Sequence, residues 1–313
     1  MKLETLRSKY TGCMVGAAIG DALGKQNEGR SRQDILSRGY VMDYGKAEAG
    51  CPGEKLRAGQ YTDDTEQMLV LARSIINCSG FDVEDFAVRI ARWGADALND
   101  PARKSLVGPS SSQAIARLNS GISWRDSGSN IPSCGSAMRV APMGLFYADL
   151  GGIELNAALS SLPTHNSKAA TAGAVAVAVA VRCALDGMDC PGIIKEASAR
   201  ASNHDIGLGN KIGISYRLRT EQPHETFSRL GTSYLVNETV PSAFYCFSRH
   251  FNSSEKAIIE AVNAGEDTDS IACITGALCG AVHGIDSFPE KWIKGLENME
   301  MIEHLAGLIF ETG

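Results

Sequence analysis

The sequence predicts an all-α protein, a single compact multi-helix domain over residues 1–313, and three observations carry that expectation. Apolar residues recur at helical spacing in successive stretches. Convincing strand and hairpin signals are scarce. Glycines spaced by four occur in two distant runs, Gly12, Gly16, Gly20 and Gly276, Gly280, Gly284. Glycine weakens a helix, so three on one face imply a neighbouring backbone packed close against it. No composition break marks a linker.

The elements follow in order. The run 11–23, "TGCMVGAAIGDAL", reads as the first glycine-lined helix. Residues 24–60 are rich in Gly, Lys, Arg and Glu and read as a long excursion with little regular structure. From Thr65 to Asn77, the positions Met68, Leu69, Leu71, Ala72, Ile75 and Ile76 suit a helix. Residues 83–98 form another amphipathic pattern, and 110–121 a capped short helix ended by Gly121. The stretch 136–150 reads as helix, bent or divided by Pro142. In "AATAGAVAVAVAV", 169–181, apolar residues alternate with period two, so a strand competes. Its alanine content, its length and the opener "THNSKAA" favour a buried helix. Helices at 253–265 and 268–284 complete the series.

Net charge is −6 with no basic block, which argues against electrostatic capture of nucleic acid or an anionic membrane. A small anion remains open, because helix N-termini bind phosphate without Lys or Arg. The longest apolar run ends at Arg182, short of the roughly 18 to 20 residues of a membrane span. The first residues lack a signal peptide's apolar core. The expectation is a cytoplasmic protein without a membrane partner. Nine scattered cysteines, with no C-x-x-C pair or His/Cys cluster, indicate neither a zinc site nor a disulfide framework.

Two acidic knots stand out. "AGQYTDDTEQM", 58–68, sets Asp63 beside Asp64; "NAGEDTDSIA", 263–272, holds Asp267 and Asp269. One reading is helix capping, since Thr and Asp accept bonds from orphan N–H groups at the positive end of the dipole. The other is a set of hard oxygen ligands, with Thr62 and Ser270 adding hydroxyls. Four gathered carboxylates repel one another, and two divalent cations would neutralise them. Oxygen-only ligation points to Mg²⁺ or Mn²⁺ over zinc. Nothing in the spacing shows that the knots meet.

Over nearly its whole length the chain resembles the ADP-ribosylglycohydrolase family, the dinitrogenase reductase-activating glycohydrolase and ADP-ribosyl-acceptor hydrolase relatives. The resemblance rests on an ordered set: "GCMVGAAIGDALGKQNEG", "YTDDTEQ", "GSAMRVAPMGLFY", "SLPTHNSKAATAGAVAVAVAV" and "AGEDTDSIACITGALCGA". It implies an all-α fold with a dinuclear Mg²⁺ or Mn²⁺ centre at the floor of a cleft. Thr62, Asp63, Asp64, Asp267, Asp269 and Ser270 are then the expected ligands. Glu28 would lie over the metals as general acid or base, with Asp64 or Asp267 positioning a water. His165 would contact ADP-ribose, Ser136 and Arg139 would lie near the site or serve structure, and Tyr234 would stack on adenine. Arg139, in apolar surroundings, needs a partner or an exposed tip.

The chain departs from the family pattern in places. Glu266 replaces one of two glycines before Asp267, where it could perturb access to the metals, and Ser270 replaces a Thr. "SCG" at 133–135 stands where Gly-Asn-Gly is usual. Leu106 stands where relatives acting on ADP-ribosyl-arginine carry an Asp, which puts arginine specificity in doubt; Asp100, six residues upstream, is the candidate substitute. The implied chemistry is hydrolysis at ribose C1″ of ADP-ribose through an oxocarbenium-like transition state, releasing an acceptor such as a protein side chain. Paired cations would hold the distal ribose hydroxyls or acidify a water, and glycine-rich helix starts would hold the pyrophosphate. A hydrolase of a free ADP-ribose conjugate and a non-catalytic ADP-ribose-binding protein are the alternatives. The oligomeric state is not indicated.

Overall fold

A computed structural model describes residues 3–313. The helices, in order, are α1 (Leu3–Gly24), α2 (Arg32–Arg38), α3 (Asp63–Cys78), α4 (Val83–Asn99), α5 (Pro109–Asn119) and α6 (Trp124–Ser127). Then come α7 (Ala141–Phe146), α8 (Leu150–Ser161), α9 (Lys168–Leu185), α10 (Cys190–Ser202), α11 (Ile206–Arg217) and α12 (Pro223–Leu230). The chain closes with α13 (Val236–Arg249), α14 (Ser254–Val262), α15 (Thr268–His283), α16 (Glu290–Gly295) and α17 (Met299–Thr312). Among the described residues there is no strand, only isolated bridges between Ser129 and His165 and between Ser133 and Leu235.

The two glycine runs face each other. Helices α1 and α15 run antiparallel, with Gly12 against Gly280 and Gly284, Gly16 against Gly276, and Gly20 against Ala272. A Cβ on Gly20 would fall 2.0 Å from the Ala272 carbonyl oxygen, and one on Gly276 would fall 2.0 Å from that of Gly16. Only hydrogen fits, so the spacing by four is a backbone-to-backbone seam. The seam sets the C-terminal end of α1 beside the N-terminal end of α15, where the Thr268 hydroxyl donates to the Gly24 carbonyl at 2.8 Å.

Helix α9 is buried from Ala172 to Val181 and packs against α7, α8, α10, α11, α13 and α15. Its period-two alternation gives no strand, because both small and branched residues pack inward all round a central helix. It runs past Arg182 to Leu185, 18 residues in all, long and apolar enough to cross a bilayer by length and composition. Its burial is that of a core helix.

The excursion 24–60 has little regular structure, as expected, apart from the short α2, capped by Ser31 Oγ accepting the Asp34 N–H at 3.2 Å. Another expectation needs correction. The stretch 136–150 is not one helix. A 3-10 turn spans Cys134–Ser136, and α7 starts only at Ala141, with Pro142 in its first turn where a missing N–H costs no helical bond. Arg139 therefore projects from an irregular turn and not from a helix face.

Candidate active site

A cleft of about 420 Å³ opens at the N-terminal ends of α3, α5 and α15, with Glu28 of the segment that follows α1 in its lining. One side of it is set from behind by a residue inside α1. Asp21 is fully buried, and its carboxylate accepts the Thr62 N–H at 2.9 Å, the Thr65 N–H at 3.0 Å and the Thr65 hydroxyl at 2.6 Å. Those are orphan donors of the first turn of α3, so a charge from α1 fixes where α3 starts. Asp63 and Asp64 then face the cleft. Asp63 Oδ2 accepts Gln67 Nε2 at 2.8 Å, while Asp64 Oδ2 is buried with no partner.

The second acidic group comes from the start of α15. Asp267 Oδ2 accepts the Thr239 hydroxyl at 2.8 Å and the Cys134 thiol at 3.2 Å; Asp269 Oδ1 accepts the Ser270 N–H at 3.0 Å. Glu28 lines the cleft from the loop after α1, and its Oε2 is likewise buried without a partner. The two acidic knots, about two hundred residues apart, thus form one site.

Charge crowding is the dominant physical fact there. Burial, then the charge of Glu28, raises Asp63 and Asp269 well above the usual carboxylate range. Burial, then Asp21, Asp63 and Asp267, does the same to Asp64. Burial also raises Asp267 and, with Asp267 and Asp21 adding to it, pushes Glu28 up to about 8. Among the described residues no three His, Cys, Asp or Glu side chains converge into a single metal cage. The donor set nevertheless suits hard cations: carboxylates from two helix starts, a hydroxyl at Ser270, and two buried carboxylate oxygens with no hydrogen-bond partner.

The ADP-ribosylglycohydrolase family model matches residues 2–313. The chain belongs to this family. It is 39% identical over 310 residues to an uncharacterized protein of Archaeoglobus fulgidus, covering 98% of this chain and 97% of that one. It is 29% identical over 340 residues to ADP-ribosylhydrolase ARH3 of Homo sapiens, covering 96% and 92%. A solved ADP-ribosylglycohydrolase-related protein complex superposes with a TM-score of 0.82 at 25% identity, covering 99% of each chain. The family consists of glycohydrolases that act on ADP-ribosylated substrates.

Within this ADP-ribosylglycohydrolase fold, Glu28, Asp63, Asp64, Asp267, Asp269, Ser270, His165 and Tyr234 all line the cleft. Tyr234 lines the cleft and is 56% exposed. Thr62, the N-cap of α3 directly before Asp63, is buried, and its hydroxyl accepts the Asp64 N–H at 3.4 Å. Two expected residues are not brought to the cleft. Ser136 is fully buried and donates to the Ala170 carbonyl at 3.2 Å. Asp100 caps its own turn through the Ala102 N–H at 2.8 Å, so it does not substitute for the missing rim carboxylate. Leu106 lines the cleft itself. Glu266 is exposed and its side chain does not line the cleft.

Sequence reasoning missed Asp21, Gln67 and Cys134. A charge at Asp21 within an otherwise apolar helix was the available signal, since a buried carboxylate demands partners. Arg139, fully buried, finds its partners in Gln67 Oε1 at 2.6 Å, the Thr164 hydroxyl at 2.6 Å and the Ser160 carbonyl at 3.1 Å.

Proposed function

We propose that this ADP-ribosylglycohydrolase removes ADP-ribose from an acceptor by hydrolysing the bond at ribose C1″, with two Mg²⁺ or Mn²⁺ ions held by Thr62, Asp63, Asp64, Asp267, Asp269 and Ser270. The observation that carries the reading is the meeting of both acidic knots with Glu28 around one cleft, with Asp64 Oδ2 buried and unpaired. Bound divalent cations would supply electrostatic stabilisation and orientation of the ribose hydroxyls.

The chain's own residues do the rest. Asp64 and Asp267, from the two helix starts, orient the attacking water. Glu28 Oε2 exchanges the proton as the C1″–acceptor bond breaks and the C1″–OH bond forms, so the acceptor leaves carrying hydrogen. The start of α5 supports a pyrophosphate site. It has Gly108 at its N-cap with no side-chain cap bond, and Gly108, Pro109, Ser110 and Ser111 line the cleft. Tyr234 offers a stacking face for adenine.

The rim favours a neutral acceptor. Leu106, Val107 and Ile131 line it, and no carboxylate takes the Leu106 position to pair a guanidinium. A panel of ADP-ribosyl-serine, ADP-ribosyl-arginine and small ADP-ribose conjugates, run with Mn²⁺ and then with chelator, tests the reading. We expect Mn²⁺-dependent release, strongest from oxygen-linked ADP-ribose and abolished in Glu28→Gln and Asp267→Asn. Equal, negligible turnover in wild type and variants, with ADP-ribose still bound, would instead make the chain a binding protein.

A further inference from the structure

His165 enters the cleft with only one ring nitrogen committed. Nδ1 lies 2.8 Å from the Thr164 hydroxyl oxygen. Nε2 has no hydrogen-bond partner among the described residues and stands beside Gly135, where an added Cβ would come within 2.7 Å of it. Which nitrogen carries the proton follows from counting hydrogens around Thr164. The hydroxyl has one proton to give and two lone pairs. One lone pair receives Arg139 Nη2 at 2.6 Å. For the proton, the Ser161 carbonyl at 3.5 Å competes with Nδ1 at 2.8 Å. That carbonyl already accepts the His165 N–H at 2.7 Å and the Thr164 N–H at 3.1 Å, and 3.5 Å is too long for a useful O–H···O bond. The hydroxyl proton goes to Nδ1.

The other end of the same chain of bonds is equally determined. Arg139 has only donors, so Gln67 must turn its oxygen toward Arg139 Nη1, which leaves its amide to donate to Asp63 Oδ2 at 2.8 Å. Arg139, Gln67, Thr164 and His165 are all buried, where such bonds polarise one another. We infer that Arg139 and Thr164 are positioning residues that lock His165 as its Nε2–H tautomer, so that the ring presents a donor to an acceptor oxygen of the bound substrate, and that Gln67 ties this donor to Asp63. Burial, and next the charge of Arg139, also push the imidazole down to about 3, which keeps the ring neutral through the physiological range. The ligand's identity rests on the proposed ADP-ribosyl hydrolase reading; the tautomer does not.

The test uses the full chain labelled with ¹⁵N-histidine, with ring-nitrogen NMR on wild type, Thr164→Val and Thr164→Ser, and His165→Gln to assign the signal. ADP-ribose titration in Mn²⁺ runs in parallel. Wild type is expected to show the Nε2–H tautomer. Thr164→Val should lose that preference and bind ADP-ribose about tenfold more weakly, the worth of one hydrogen bond; Thr164→Ser should restore both. An Nδ1–H tautomer in wild type overturns the inference even where Thr164→Val fails to fold. So does a Thr164→Val protein with unchanged tautomer, or with a changed tautomer and unchanged affinity. If wild type binds no ADP-ribose at all, the functional reading falls while the NMR result still decides the positioning claim.

Discussion

The carbonyl of Glu266 accepts the Gly29 N–H at 2.8 Å, so the residue before Asp267 is clamped to the residue after Glu28. The Glu266 N–H completes the clamp by donating to the Arg30 carbonyl at 2.6 Å. Two segments more than two hundred residues apart thereby hold the acid–base candidate beside a proposed metal ligand.

The clamp puts Glu266 at a φ of +54°, a left-handed conformation that side chains with a Cβ resist. The family pattern has glycine here, and the preceding Gly265 also has positive φ, +105°. Glu266→Gly should keep both backbone bonds and stabilise the protein by about 0.5–1 kcal/mol, the strain relief exceeding glycine's added entropy cost. Urea unfolding checks this: a higher midpoint with unchanged slope is expected, and a lower midpoint shows that the exposed Glu266 side chain contributes something else.

Asp21→Ala should do the reverse. It strands the Thr62 N–H, the Thr65 N–H and the Thr65 hydroxyl in a buried place, at about 2–4 kcal/mol after the regained desolvation of the carboxylate is counted. Because those donors fix the first turn of α3, Mn²⁺ affinity should fall along with the midpoint. Calorimetric titration that finds wild-type affinity in a stably folded Asp21→Ala protein removes Asp21 from its assigned role.

Much of this was legible in the sequence, for identifiable reasons. The glycines of α1 and α15 declared a close seam because spacing by four has a single meaning on a helix. The acidic knots declared themselves by crowding. Their convergence did not, since spacing along the chain says nothing about a seam that folds Gly24 against Asp269. Ser136 and Asp100 are polar residues in plausible places, and each spends its side chain on nearby backbone, a competition that residue type alone does not resolve. Asp21 was hidden by being embedded in apolar sequence.

The crowded carboxylates also set a pH dependence. Asp63, Asp64, Asp269 and Glu28 have raised pKa values when folded, so the folded state holds protons that the unfolded chain releases. Stability from such groups is present at low pH and lost as pH rises through the folded values, about 8 for Glu28. His165, pushed down to about 3, works in the opposite sense, but below its ordinary value of 6.5. Lys25, lowered to about 8, restores stability only above that pH. Between about pH 6.5 and 8 the carboxyls therefore set the slope. In chelator, the melting temperature should fall across this window, and Mn²⁺ should flatten or reverse the fall by favouring the ionised carboxylates. A melting temperature that is level or rises in chelator contradicts the electrostatic account.

Acceptor choice should turn on Leu106. It is held at the rim by a segment anchored to the acidic helix itself: Arg103 Nη2 donates to Glu66 Oε2 at 2.5 Å, and Trp93 Nε1 donates to the same oxygen at 2.7 Å. A carboxylate placed on so fixed a segment can pair a guanidinium through two parallel bonds, which an oxygen-linked acceptor cannot offer. Leu106→Asp should therefore raise the ratio of arginine-linked to serine-linked turnover by about tenfold or more, since a hydrogen bond to a charged group is worth roughly 1.5–3 kcal/mol. The new carboxyl joins a cleft that already disfavours negative charge, so part of it is protonated at lower pH and the shift should be larger at pH 8 than at pH 6.5. Leu106→Asn, of similar size and without charge, separates recognition from loss of the apolar wall. If both variants change the ratio equally, or neither does, the rim at Leu106 does not select the acceptor, and discrimination must lie with the groups nearer C1″.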